Sequence, residues 1–281
     1  MIGFRIKSYA KINLALNVVG KKNFLHKIES LISFIDLHDL IYLKQTIKKN
    51  HKISFKGKFS KNIGKVNTIT LLLKLLDEKK FLNNRKFEIK ILKNIPQQSG
   101  MGGGSMNAAS LINFFINKKI IKVKKNELIE LANKIGSDVI LGINPSNTIL
   151  SANGSLKKYN KDMNLYTLVV KPNFGCSTKY VYSKVKSFSK SQFTPPKQKM
   201  FRAEYLKTLN NDLEKIAFNE YPKLEKIKLF LLTMPNNIFV RMSGSGSSIV
   251  AYFDSKRACG NAYMQFKRKF NSHWCIISKT I

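Results

Sequence analysis

The stretch Ile95–Ser110, IPQQSGMGGGSMNAAS, places four glycines, Gly100, Gly102, Gly103 and Gly104, within five residues. Upstream, RKFEIKILKNIP alternates as a strand does, with Phe87, Ile89 and Ile91 on one face, and stops at Pro96. Downstream, Ala108, Leu111, Ile112, Phe115 and Ile116 recur at helical spacing. A strand, a glycine turn and a helix start in that order make an anion site, because free backbone N–H groups and the positive end of the helix dipole face the turn. Glycine lets that backbone approach a ligand closely, and successive N–H groups can hold phosphate oxygens. A tight turn without a ligand explains one or two glycines but not four, since each costs chain entropy.

The spelling excludes the common phosphate loops. Gly104 is followed by Ser105 and Met106 rather than Lys-Ser/Thr, so this is not a Walker loop. Gly100 and Gly102 fit the first dinucleotide spacing, but position 105 is Ser. The His-Arg-Asp and Asp-Phe-Gly motifs of protein kinases do not occur.

The remaining sequence sets bounds on class. With 281 residues the chain can bury a core and form two domains. No apolar run reaches the ~18 residues of a membrane span, and the N-terminus carries charges and no small-residue cleavage site. Cys176, Cys259 and Cys275 are too few and too far apart for a disulfide framework or a compact metal cluster. We therefore expect a cytoplasmic protein. The net charge of +34 raises a nucleic-acid reading. Only six of the 50 basic residues are arginine, and lysines run from Lys7 to Lys279, which favours compositional drift over a selected polyanion site. One local exception is Lys44–Lys65, with no acid between Asp39 and Asp77, where KISFKGKF reads as an exposed strand.

In YAKINLALNVVG, Ile12, Leu14, Leu16 and Val18 point one way and Lys11, Asn13, Ala15 and Asn17 the other, as on a strand with a core face and a polar face. IESLISFIDLHDLIYLKQ reads as extended but broken at His38-Asp39. TITLLLKLLDEKKF and NELIELANKIG read as helices, the second capped by Gly136. The turn-rich Gly142–Ser155 holds the expected boundary, giving domains 1–150 and 151–281. Beyond it, LYTLVVKPNF reads as a strand, Ser183–Lys199 as a mobile surface loop, and LKTLNNDLEKIAF and PKLEKIKLFLLT as helices. RMSGSGSSIVAYF reads as a small-residue turn entering a strand. The irregular alternation indicates an α+β or mixed α/β chain.

PQQSGMGGGSMNAA resembles the phosphate-binding motif of the GHMP small-molecule kinases. SYAKINLALNVVG, IGSDVIL and MSGSGSS resemble three further motifs of that family, in its order, so the likeness spans nearly the whole chain. The triple glycine before Ser-x-Asn-Ala-Ala is similar to the branch that phosphorylates the 2-hydroxyl of 4-diphosphocytidyl-2-C-methyl-D-erythritol, in the non-mevalonate isoprenoid route. The resemblance implies a two-domain α+β GHMP kinase fold, with an N-terminal ribosomal-protein-S5-like domain and a C-terminal ferredoxin-like α/β domain. It implies ATP and magnesium, and that small-molecule substrate, rather than a nucleic acid or a membrane, as partner. We expect a monomer or weak dimer.

Residue by residue, the likeness assigns phosphoryl transfer to Lys11 and Asp138, the lysine offsetting phosphate charge and the aspartate acting as base. It assigns ATP to Pro96, Gln97, Gln98, Ser99, Gly100, Met101, Gly102, Gly103, Gly104, Ser105 and Met106. Asn13 and His26 fall on the substrate side, with His26 matching a histidine that reads the cytidine base, and Tyr182 matches an aromatic on the base's other side. Asn67 and Thr178 are further substrate candidates. No dedicated metal ligand is assigned. Two positions depart from the family pattern: Leu25 stands where a tyrosine precedes the histidine, with Phe24 as its possible substitute, and Met106 stands where Ser or Ala is usual. A GHMP kinase for another alcohol, of homoserine or mevalonate type, and a basic RNA-binding protein on this scaffold are the alternatives.

Overall fold

A computed structural model describes residues 3–23, 25–160 and 163–281, so Phe24 lies outside the described residues. The chain divides into two compact units, and neither is a single stretch. The first comprises the segment ending at Lys11, then Leu37–Pro96 and Gly102–Pro145; the second comprises Ile12–Asp36, Gln97–Met101 and Ser146–Ile281. The chain thus crosses between units five times, where the sequence reading placed one cut at 150. Two of these crossings lie inside long strands, Phe4–Lys22 and Leu25–Thr46, a connection that hydrophobic periodicity does not reveal.

In the first unit, β2 (Leu25–Thr46) pairs antiparallel through Leu40–Thr46 with β4 (Lys86–Leu92), and β3 (Lys52–Lys56) pairs parallel with β4. The crossover from β3 to β4 is α1 (Thr68–Glu78), giving a βαβ unit. Leu72, Leu73 and Leu76 of α1 pack with Leu111, Ile112 and Phe115 of α2 (Gly103–Asn117) and Leu131 of α3 (Lys125–Ile135) over Ile41, Leu43, Ile89 and Ile91. Ile53 and Phe55 of β3 are partly buried against this core, so KISFKGKF is not an exposed strand. Gly136 ends α3 with extended backbone, φ 167°, and its N–H goes to the Ala132 carbonyl.

In the second unit, Ser30–Ile32 of β2 pair with β5 (Asn147–Leu150), which pairs with β6 (Leu156–Tyr159). A second antiparallel sheet has the order β10-β7-β9-β8, from β7 (Tyr166–Lys171), β8 (Phe239–Met242), β9 (Ile249–Phe253) and β10 (Trp274–Lys279). Its core joins Leu168, Val170 and Ala251 to Leu224, Ile227 and Leu231 of α7 (Pro222–Leu232) and Phe266 of α8 (Lys256–Lys269).

Several expectations change. β1 (Phe4–Lys22) has the expected polar phase, but over Lys11–Asn17 that phase is buried, with Lys11, Asn13 and Asn17 all partnered. β2 runs unbroken through His38-Asp39; Asp39 is fully buried and paired. The helix expected over 206–218 splits into α5 (Ala203–Lys207) and α6 (Leu213–Glu220). The break forms because this backbone bonds to β1: Leu16 N–H donates to Asn210, Asp212 N–H donates to Leu16, and the Asp212 carboxylate accepts Val18 N–H at 2.7 Å. The Ser183–Lys199 loop is pinned by the buried Glu29 carboxylate, which accepts from Ser191 Oγ and from the N–H groups of Gln192 and Phe193. Among the described residues, no helix is long and apolar enough to cross a membrane.

His51 gives the first unit a pH-sensitive contact. Its Nδ1 accepts Phe87 N–H at 3.1 Å, so Nε2 carries the proton and faces Asp77 at 3.2 Å. Burial is the largest influence and lowers its pKa; Asp77 opposes this, but Lys86 holds the same carboxylate oxygen at 2.6 Å. A lowered folded-state pKa means the unfolded chain takes the proton first, so this contribution to stability is present above about pH 6.5 and declines as pH falls toward the folded value. We expect His51→Gln to flatten the loss of stability between neutral and mildly acidic pH. Denaturant unfolding of both proteins across that range checks it, and parallel curves would refute the assignment.

Candidate active site

In the first unit, Lys11 and Asp138 meet. Lys11 Nζ lies 3.2 Å from Asp138 Oδ2, with the lysine side chain 6% exposed and the aspartate 36% exposed. The carboxylate is therefore the more open member of the pair. β1 supplies the lysine; the aspartate sits between Gly136, which ends α3, and the short 3-10 turn Val139–Gly142.

The same point receives the start of α2. Gly102 is its N-cap at φ +65°, and a Cβ there would stand 3.0 Å from Lys11 Cγ and 3.5 Å from Asp138 Oδ2. Only a bare backbone lets the helix begin against the pair. No side chain caps α2, and its first intrahelical bond runs from Met106 N–H to the Gly102 carbonyl at 2.8 Å. The N–H groups of Gly103, Gly104 and Ser105 precede that bond and form the positive end of a 15-residue helix. Thr68 Oγ1 donates to the Gly104 carbonyl at 2.8 Å and ties this turn to the start of α1.

Met106 is 2% exposed and packs inward, where a Cβ on Gly142 would come within 2.9 Å of its sulfur. The departure at 106 is thus a packing change behind the loop. Asn67 is the N-cap of α1: its Oδ1 accepts Ile69 and Thr70 N–H and its Nδ2 donates to the Gly64 carbonyl. Asn67→Ala should cost about 1 kcal/mol of stability, and Asn67→Asp should keep the cap. A rise in alcohol KM in both variants, with stability unchanged in the second, would show that Asn67 also touches substrate.

The second unit holds the preceding half of the loop. Ser248 N–H donates to the Ser99 carbonyl at 3.2 Å, and Ser243 Oγ donates to the Gly100 carbonyl at 3.0 Å while accepting Asn13 N–H at 3.1 Å. Gly100 has φ +72°, and a Cβ on it would fall 2.0 Å from the Ser243 carbonyl oxygen. The SGSGSS turn is therefore a backing for the loop, and Asn211 Nδ2 braces it from the Met242 and Gly244 carbonyls. Asn13 is 4% exposed and its Nδ2 donates to Ser30 Oγ at 2.8 Å, which places it within the strand pair.

His26 and Tyr182, 156 positions apart, lie ring to ring in this unit, with centroids 5.3 Å apart at 39°. Partial burial, then the charge of Lys21, lowers the His26 pKa, so its imidazole is neutral near pH 7. Tyr182 comes from α4 (Thr178–Ser183), and Thr178 Oγ1 at its start lies 2.9 Å from Ser245 Oγ. Leu25, where the family tyrosine would stand, is 78% exposed.

Sequence reasoning missed Asp39, Glu29 and Asn211. Asp39 carried a usable signal: it is in phase with Leu37 and Ile41, so an acid occupies a core position of a strand.

The chain is 68% identical, over the full length of both proteins, to the 4-diphosphocytidyl-2-C-methyl-D-erythritol kinase of Pelagibacter ubique. The chain belongs to the 4-diphosphocytidyl-2-C-methyl-D-erythritol kinase family. The corresponding kinase of Clostridium tetani is 32% identical over 99% of this chain and 100% of its own. Residues 67–154 match the GHMP kinases N terminal domain. A crystal structure of 4-(cytidine 5'-diphospho)-2C-methyl-D-erythritol kinase superposes with TM-score 0.79 at 21% identity, covering 98% of this chain and 99% of that one. Homoserine kinase from Cytophaga hutchinsonii superposes at TM-score 0.72 and 16% identity, covering 99% and 94%. These likenesses show a shared fold, and the chain is a small-molecule kinase with the two-domain α+β GHMP kinase fold.

Proposed function

We propose that this kinase transfers the γ-phosphoryl group of ATP to the 2-hydroxyl of 4-diphosphocytidyl-2-C-methyl-D-erythritol, a cytoplasmic step toward isoprenoid precursors. The observation that carries the chemistry is the Lys11–Asp138 pair against Gly102 at the start of α2. The substrate rests on the 68% identity to the Pelagibacter kinase and on the His26–Tyr182 pair, which offers an aromatic and a neutral imidazole to a pyrimidine.

Asp138 Oδ2 accepts the hydroxyl proton as the oxygen attacks, and Lys11 faces the negative charge that builds on the transferring group. The N–H groups at the start of α2 hold phosphate oxygens in place without reorganising. Magnesium accompanies ATP and would offset charge between its phosphates. Among the described residues no three His, Cys, Asp or Glu side chains converge on one point, so phosphates and water would supply most of its ligands.

The test supplies ATP, magnesium and the cytidylyl alcohol and follows the 2-phosphate product by phosphorus NMR. Product formation with competition by CMP is the expected result. Folded protein that makes no product, or that phosphorylates homoserine or mevalonate in preference, would overturn the substrate assignment.

A further inference from the structure

The buried Asp39–Lys93 pair has no part in the chemistry above. Asp39 is fully buried and Lys93 is 4% exposed. One carboxylate oxygen of Asp39 takes the Lys93 ammonium; the other accepts Asn94 N–H at 2.7 Å and Ile95 N–H at 2.8 Å. These contacts stand where the strand pairing stops. The β2–β4 ladder ends at Leu40 and Leu92, and Lys93 N–H still reaches the Lys56 carbonyl of β3 at 2.7 Å. Past that point the N–H groups of residues 94 and 95 have left the sheet, and Asp39 takes both. The segment it holds is the seat of α2: a Cβ on Gly103 would lie 3.1 Å from Ile95 Cγ2 and 3.4 Å from Lys93 Nζ.

We propose that Asp39 is a positioning residue for the phosphate loop. By accepting the last two N–H groups of the departing strand, it sets where Ile95 lies and hence where Gly103 and the free N–H groups of α2 begin. The loop is then formed before nucleotide arrives, so binding does not have to order it. This rests on the chain being an ATP-dependent kinase, but not on which alcohol it phosphorylates.

Asp39→Ala alone would strand a buried ammonium and threaten the fold, so the comparison uses Asp39→Asn/Lys93→Met and Asp39→Ala/Lys93→Met. Both lack the ion pair, and only the asparagine keeps an acceptor for the two N–H groups. We expect the Kd for magnesium-ATP, measured by calorimetry, to be at least ~10-fold weaker in the alanine variant, with kcat at saturating ATP within about threefold. Equal Kd values, or a loss confined to kcat, would overturn the proposal. Amide hydrogen exchange decides it without nucleotide. In the wild type and the asparagine variant, Asn94 and Ile95 should exchange as slowly as Ile89 and Ile91. Unprotected amides there in the wild type would also overturn it, even if the alanine variant did not fold.

Discussion

Asp138→Asn is expected to lower kcat by about 10²–10⁴-fold, the usual span of a general base, while the Kd for ATP stays within about threefold. The amide keeps the size and can still meet Lys11, but it cannot take a proton. Because Asp138 is 36% exposed and its partner 6%, the substitution touches the open member of the pair and leaves the packing of Lys11 intact. The loss should appear in kcat and kcat/KM equally, as for an interaction made in the transition state. Steady-state kinetics with calorimetric ATP binding make the check. A fully active variant would place the base elsewhere.

Gly100→Ala should weaken ATP binding at least tenfold and destabilise the second unit by roughly 2–5 kcal/mol, summing a left-handed backbone penalty and a packing clash. The clash is with backbone, since the new Cβ would sit 2.0 Å from the Ser243 carbonyl oxygen, and Asn211 holds that turn through Met242 and Gly244. Gly154→Ala is the control. Gly154 also has positive φ, +84°, but nothing lies within 4 Å of its added Cβ, so it carries only the backbone term of about 1–2 kcal/mol. Thermal unfolding and ATP binding of the two variants separate the terms. If Gly100→Ala and Gly154→Ala behave alike, the SGSGSS turn does not back the loop.

Much of the site was legible because local rules govern it. The strand alternation around Ile89, the glycines and the helical stripe from Ala108 each follow from short-range geometry, and all three appear where the pattern puts them. Lys11 was legible through strand phase together with family likeness. The polar phase of β1 was legible too, but alternation separates two faces and does not say whether either is wet. Lys11 finds Asp138 far along the chain, while Asn13 finds Ser30 and Asn17 finds Glu29 on the next strand. The helix break at Asn210–Asp212 was hidden for a similar reason. Helix propensity is a small local term, and bonds to β1 outweigh it.

By itself the sequence determined most of the elements, the glycine turn at a helix start and the family, since each depends on residue type at close spacing. Tertiary structure alone decided that Asp39 serves the end of β4, that SGSGSS supports Gly100, and that His26 faces Tyr182. It also decided that the units interleave rather than follow one another. The physical reason is common to all of these. A buried carboxylate, N–H group or ring must find a partner, and sequence spacing does not say which distant residue folding will bring within reach.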